Sequence, residues 1–485
     1  MAVDLTPYRV NLGDTTELID KLNGLQTELE TYSAELDAIK LAAAGSAIAA
    51  AASEQAVQDL VTSGIPEWFL DSAKYPSLVL DFATGNGKTE KPCVARYQSN
   101  AIQDRVGFDN IVTVIRASSG SYYDADGRRQ TAAVDEPRFF YDPVTGEQKG
   151  LMREEKKTNL AWPFKIPAVT TGTMGIGSSV TVVPDAVLGR DGITLVNGYQ
   201  GLAGSTNTSS GASVRCLLGA QPAGTYTYAI DVMGSVGGTN ISCRFLDGGA
   251  GLDTIVSFQT ENGQPAQTST EWNRFYATVT LGAGSTNFTI IPNVSSNDET
   301  IYLDAVQAEL GSFPSSPIKT TVAPATREAD IVTVNTLAPW CNLAAGTLVT
   351  ELEYMGKGNQ FAYPISLSDG SINNAIAQGW AVTSSLRSYI SAAGVANFAT
   401  ATSGRIVAGT PHRLALTYDA ASAQDASDGT VAATSAAAFV LPVAIDRLEI
   451  GMLAGSISFG SSVYIRSITY YPHKMTETEI EAVTA

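Results

Sequence analysis

Glu351 and Glu353, in the stretch TELEYMG, are the residues whose type and spacing come nearest to catalysis. Two residues apart on a strand they alternate onto one face, and paired carboxylates on such a face can serve a retaining glycosidase as nucleophile and acid. A solvent-facing strand accounts for two glutamates without any chemistry. No catalytic residue is therefore assigned, and the protein is expected not to be an enzyme. Asp124 and Asp126, followed by Gly127, make part of a calcium loop, but the downstream acids are missing and a hairpin turn is the expected role. The GNGKT run lacks the phosphate-loop glycine five residues before Gly87, where Phe82 stands. The 2 histidines, His412 and His473, have no partner histidine at metal spacing and read as structural. GxSxG, HExxH and GxGxxG are absent. No metal and no cofactor are expected. Cys93, Cys216, Cys243 and Cys341 form no CxxC and read as free core thiols, with a Cys216–Cys243 disulfide as the minor alternative.

The element that organises the chain lies at its start. From Leu18 to Leu60 apolar or small residues recur four, three, four, three without a break. Taking Leu22 as position a, the a row runs through Leu22, Leu29 and Leu36, and the d row through Leu18, Leu25, Tyr32 and Ile39. Such a seam is narrower than the usual stripe of a helix lying on a globular domain, which is the alternative, so a parallel coiled coil about 65 Å long is expected. Leu18, Leu22, Leu25, Leu29, Leu36 and Ile39 would carry the oligomer. Packing alone does not fix the number of strands, because Ala and Ser fill both rows of the second half. Residues 1–15 are broken by Pro7 and Gly13 and read either as a docking peptide or as a frayed end.

Composition narrows the class. Charged residues make up only 16%, and Gly, Ser, Thr and Ala are abundant, a mixture typical of β-rich extracellular or virion proteins. A net charge of −18 argues against nucleic acid and anionic lipid as partners. The opening MAVDLTPYRV lacks the basic and apolar regions of a signal peptide, and no apolar run approaches the roughly 20 residues of a membrane span. Synthesis in a reducing cytoplasm, without membrane insertion, is expected.

Beyond Gly64 and Pro66 the pattern turns to strands. Between Ile111 and Leu160 short strands are joined by turns at Asp124–Gly127 and Asp142–Glu147. From Ala161 eight alternating pieces follow: SSVTVVPDAV, GITLVNGY, TYTYAIDVMG, ISCRFLD, TIVSFQT, NRFYATVTLG, FTIIPNV and TIYLDAVQAELG. After APATREAD, read as a linker, come GTLVTELEYM, AYPISLSD, HRLALTYD, AIDRLEIGM, SVYIRSITYYP and a short helix. The expected fold class is mainly β: an N-terminal parallel coiled coil followed by β-sandwich and jelly-roll domains.

Five small motifs in fixed order, Arg116–Ser118, Tyr123–Gly127, Pro137–Phe139, Asp142–Gly146 and Glu155–Asn159, closely resemble a module of bacteriophage head-spike and tail-fibre proteins. Leu151–Glu154 departs from that module's leucine–isoleucine–glutamate. Pro184, Asp185, Asp191, Gly192, Tyr226–Tyr228, Trp272, Arg274 and the closing AVQAELGSFPSSPIKTT resemble the carbohydrate-binding-module-like jelly rolls of the same proteins. His412–Tyr418, Tyr464–Pro472 and the ending YYPHKMTETEIEAVT resemble the concanavalin A-like lectin fold. Glucanases of that fold carry a third acid on their catalytic strand, where this chain has Gly356.

The resemblance implies a trimer and five parts: a virion-docking tip (1–15), the coil (16–64), a fibre or spike β module (65–160), a jelly roll (161–325) and a concanavalin A-like sandwich (326–485). It implies a fibre on the virion surface, on head or tail, made in the bacterial host cytoplasm. Its partners would be other virion proteins through the N-terminus and host surface polysaccharide at the far end. A decorating spike without a ligand and a polysaccharide depolymerase are the alternatives. Trp380, in the Gly-rich AQGWAV, is the preferred sugar-stacking residue; Tyr226 and Trp272 are candidates that in this fold are more often core.

Overall fold

The computed structural model describes residues 20–31, 76–83, 94–97, 103–106, 108–202, 213–260, 264–294, 299–338, 340–355, 361–381, 385–399, 402, 404–435, 440–453 and 462–485. The chain divides into two compact units, Met1–Tyr75 and Pro76–Ala485. In the first, residues 20–31 form a helix. Its Leu22 and Leu29 are 54% and 57% exposed and Leu25 is half-buried, so an apolar row lies uncovered in the single chain. Leu18, Leu36, Ile39 and the 1–15 tip lie outside the described residues.

The second unit is mainly β. All eight pieces expected after Ala161 are strands, and two short ones, Met174–Ile176 and Val214–Gly219, join them. They make two antiparallel five-stranded sheets. One runs in the order Met174–Ile176, Val214–Gly219, Phe288–Val294, Ile241–Asp247, Leu252–Ser257. The other runs Thr181–Leu188, Leu195–Gln200, Ile301–Leu310, Gly224–Gly234, Asn273–Leu281. Because side chains alternate along a strand, Tyr228, Ile230, Phe245, Phe275, Phe288, Ile290 and Leu303 meet in one core between the sheets.

Cys216 and Cys243 are free and buried in this core, where burial pushes the Cys216 thiol up to about 12. They lie on strands separated by Phe288–Val294, Cys216 opposite Ile290 and Cys243 opposite Pro292. Two strand steps of about 4.8 Å exceed the roughly 7 Å that a disulfide spans between Cα atoms, so the thiol reading holds and the bridge does not.

Asp247 shows how this sandwich ties its loops. Its carboxylate accepts from the backbone of Gly249, Ala250, Thr286 and Asn287 and from the Ser285 hydroxyl at 2.5 Å. Burial opposes ionisation, but these donors outweigh it and hold the carboxyl at about 2. A depressed folded pKa gives stability that is full above the ordinary carboxylate range and is lost as pH falls towards 2. Asp247→Asn is therefore expected to lower the melting temperature at pH 7 and to change it little near pH 2. Equal losses at both pH values in thermal melts would refute the assignment.

The C-terminal sandwich pairs a ten-stranded sheet with a seven-stranded one. The larger has the path Thr430–Ser435, Ala423–Ser427, Pro411–Asp419, Ala345–Tyr354, Val463–Tyr471, Leu78–Asp81, Val94–Tyr97, Gln103–Val106. The smaller runs Val395–Ala399, Ser385–Ala392, Ala375–Ala381, Phe361–Ser368, Arg447–Ile450, Ile331–Val334, Val112–Ile115. Leu348, Leu352, Leu414, Leu416, Ile465 and Ile468 face Ile365, Ile376, Leu386, Ile390 and Leu448 across the core. The closing helix Glu477–Thr484 begins with a capping box between Thr476 and Glu479.

Strand pairing crosses the boundaries expected at 160 and 326. Leu78–Asp81 lies beside Val463–Tyr471, Val112–Ile115 beside Ile331–Val334, and Gln148–Arg153 pairs with residues 463–465. APATREAD is not a solvent linker, since Ala325–Arg327 pairs with Lys157–Asn159 and both Arg327 and Asp330 are buried. The charges of Arg327 and Asp330 are neutralised internally, while Glu328 pairs with Lys156 at the surface.

Candidate functional site

The resembling motifs converge on two buried ion clusters, one that joins the sandwiches and one that clamps a hairpin to the jelly roll. In the first, Asp330 accepts from Arg116 Nη1 at 2.8 Å, from Arg138 Nη2 and from the Glu154 amide at 2.8 Å. Glu154 accepts from Arg138 at 2.6 Å and from the amide and hydroxyl of Ser316, and forms an ion pair with Arg327 at 3.1 Å. Burial disfavours the ionised form of Glu154, but the Arg327 and Arg138 guanidiniums outweigh it and hold its carboxyl below the usual range. Asp330 is held low in the same way by Arg138, Arg116 and Arg327. The closing phrase of the jelly roll completes the joint: Glu309 accepts from Ser315, and the Gln307 amide bridges Ser315 and Ile318.

In the second cluster Arg129 spans Asp231 at 2.9 Å and Asp304 at 2.8 Å, while Arg190 and Arg274 approach Asp231 at 3.5 and 3.3 Å. The Arg190 guanidinium also lies 4.3 Å over the Tyr123 ring. Thus the hairpin Gly120–Tyr123 and Arg129–Ala132 is clamped against the jelly roll, and its tip Asp124–Gly127 is held over the surface.

That tip forms one wall of an open cleft of about 610 Å³. Asp126, Gly127 and Arg128 face Leu188–Gly192 and Ser269–Asn273, with Pro143 and Val144 at one end. Three of the four bounding turns are each braced by an aspartate, and the Ser269–Asn273 turn is braced by the Ser269 hydroxyl. Asp124 accepts from the amides of Asp126 and Arg128, Asp142 from Val144 and Thr145, and Asp191 from Ile193 and Thr194. Gly127 has φ +71°, and a Cβ there would meet the Pro143 carbonyl oxygen at 2.7 Å, so only glycine lets these two turns approach.

Trp272 lines this cleft. It is partly exposed, and its Nε1–H donates to the Leu188 carbonyl at 3.2 Å, which fixes the indole. Asn273 Nδ2 donates to Ser269 Oγ at 3.0 Å, and Arg128 and Glu271 are exposed at the rim. The cleft therefore offers an aromatic surface beside polar groups of both kinds, the composition that takes hydroxyl-rich ligands.

The other expected aromatics are placed elsewhere. Trp380 is only 3% exposed, with its ring centroid 4.6 Å from that of Tyr354 inside the C-terminal core, so it presents no stacking surface. Tyr226 is 2% exposed, packs on Phe288 and donates its hydroxyl to the Pro222 carbonyl; it is a core residue. Sequence reasoning named Trp272 but not its neighbours Glu271 and Asn273, nor Arg128, which only the packing of distant turns brings to it.

Neither carboxylate of TELEYMG stands ready for chemistry. Glu351 pairs with Arg413 at 3.4 Å and Arg466 at 3.2 Å, and Glu353 is buried against Lys149 at 3.0 Å. Glu353 belongs to a smaller crevice, walled by Phe140, Tyr464, Phe313 and Tyr276, with Lys149. His412 accepts from the Val407 amide through Nε2 and donates through Nδ1 to Asp428 at 2.7 Å, a structural role. Among the described residues no group of three or more His, Cys, Asp or Glu side chains could hold a metal ion. No described helix is long and apolar enough to cross a membrane.

No family model matches the chain, and no curated protein does. Solved structures with partial likeness include the CBM40 of a Ruminococcus gnavus IT-sialidase, 15% identical over 30% of this chain and 84% of that one, with a TM-score of 0.26. A leech intramolecular trans-sialidase is 16% identical over 30% of this chain and 23% of that one, with a TM-score of 0.27. A SAP-like pentraxin from Limulus polyphemus is 11% identical over 30% of this chain and 70% of that one, with a TM-score of 0.22. Likeness at this level carries no weight for ligand or activity.

Proposed function

We propose that the chain is a homotrimeric bacteriophage virion fibre that adheres to host-surface polysaccharide through the cleft around Trp272. It would be made in the host cytoplasm and dock on other virion proteins through its N-terminus. The observation that carries the reading is the fixed, partly exposed indole among polar groups in an open cleft. The uncovered apolar row of the N-terminal helix supports an oligomer, and the five motifs after Ile111 support the phage class. Binding without cleavage is favoured because Glu351 and Glu353 are each engaged by cations.

Trp272→Ala in the full-length protein tests this reading. Loss of a central aromatic anchor costs on the order of 2 kcal/mol, so host-cell binding is expected to fall at least about tenfold. The thermal melt should move little, since the side chain is not part of the jelly-roll core. Undiminished binding would remove the cleft from the proposal. No binding by either protein would leave the decorating spike, and release of reducing ends from host polysaccharide would indicate a depolymerase.

A further inference from the structure

The cleft also bears on which saccharides it takes. We infer that the Trp272 cleft selects neutral, hydroxyl-rich saccharides over acidic ones; this rests on the adhesion reading above and narrows its ligand class.

A ligand entering the cleft would meet charges of both signs. Asp126 and Glu271 are exposed carboxylates of the cleft, and Arg128 is its exposed cation. Arg128 makes no ion pair among the described residues, but the second cation of the lining, Arg190, is buried and committed. Its Nε donates to the Gly127 carbonyl at 3.3 Å, its guanidinium covers Tyr123, and it approaches Asp231 at 3.5 Å. The exposed rim thus has two negative groups for one positive. The whole chain adds a net charge of −18, tripled in a trimer, which repels a polyanion at long range.

The same groups suit neutral hydroxyls well. A carboxylate accepts from a sugar hydroxyl, and a guanidinium donates to it through a planar fork. Asn273 spends its Nδ2 on Ser269 Oγ and the Glu271 carbonyl, which turns its amide into an oriented part of the wall. Trp272 cannot rotate freely while Nε1 is held by Leu188, so a pyranose would find a preset apolar surface at small entropic cost. Leu188, 51% exposed, and Val144, 75% exposed, extend that surface beyond the indole.

The test uses the full-length protein with mannan, galactan and β-glucan as neutral probes, and polysialic acid and polygalacturonate as acidic ones. Each is measured at about 50 mM and about 500 mM NaCl, because screening separates charge attraction from hydroxyl recognition. The expected result is binding to at least one neutral polymer with less than about threefold change between the two salts, lost at least about tenfold in Trp272→Ala. Arg128→Glu should weaken that binding severalfold, and its exposed position keeps the fold intact. Preference for an acidic polymer, strongly salt-sensitive and lost in Trp272→Ala and Arg128→Glu, would overturn this inference while leaving the adhesion site standing. Binding unaffected by Trp272→Ala, or no binding to any probe or to host cells, would overturn the adhesion reading itself.

Discussion

Asp330→Ala is expected to lower the unfolding free energy by roughly 3 to 5 kcal/mol, the cost of stranding buried charges by deleting their partner. Asp330 is the only acid that Arg116 pairs with among the described residues, and it also engages Arg138 and the Glu154 amide. All four groups are inaccessible to water, so none can exchange its lost partner for solvent. Against a total stability of about 5 to 15 kcal/mol this is a large fraction. Because the cluster joins segments from both sandwiches, denaturant unfolding of the variant should also separate into two transitions. Asp330→Asn, which keeps the shape and part of the hydrogen bonding, should lie between the two. A midpoint shift worth less than about 1 kcal/mol, with a single transition retained, would show that the joint is held by apolar packing instead.

For the proposed trimeric adhesin, Leu25→Asp combined with Leu29→Asp is expected to convert the trimer to monomer and to weaken adhesion to a polysaccharide surface by about 10² to 10⁴-fold. Both residues lie on the apolar row of the helix over residues 20–31, and a carboxylate in a coiled-coil seam has no water and no partner. The β-rich unit Pro76–Ala485 is compact by itself, so binding per site should be unchanged. Sedimentation equilibrium gives the first result and binding to immobilised against soluble mannan gives the second. A variant that stays trimeric, or a monomer that binds the surface as tightly as the parent, would refute the avidity argument.

How much was legible follows from particular residues. Strands with strong alternation and bulky residues, such as ISCRFLD and HRLALTYD, are read directly from the chain, because their period of two is the period of a half-buried sheet. The strands AIAQGWA, AQDAS and TVAATS are not, since Ala, Ser and Gly carry little β signal and their pairing comes from tertiary context. Trp380 shows the same failure at a site. Gly379 beside it suggests an exposed loop, yet a Cβ there would meet the Ala362 carbonyl oxygen at 1.9 Å. The glycine marks close strand approach at a bulge, and the tryptophan next to it points into the core. The ion clusters leave no periodic trace at all. Arg116, Arg138, Glu154, Arg327 and Asp330 look like surface charges in sequence, and only long-range pairing makes them interior.

The pairing of Leu78–Asp81 with Val463–Tyr471 has a consequence for biosynthesis. The Ser77 hydroxyl donates to the Tyr470 carbonyl across 393 residues of sequence. A ribosome adding about 5 to 20 residues per second needs on the order of 20 to 80 seconds to make that intervening chain. The jelly-roll strands are complete well before then, so that sandwich can assemble on the nascent chain while Leu78–Asp81 still lacks its neighbour. Its backbone edge stays open throughout, the kind of exposed template that invites mispairing with another polypeptide. Neighbouring ribosomes on one message present several such edges together, and the last nine-residue strand, Val463–Tyr471, decides in each chain whether the edge is closed from within.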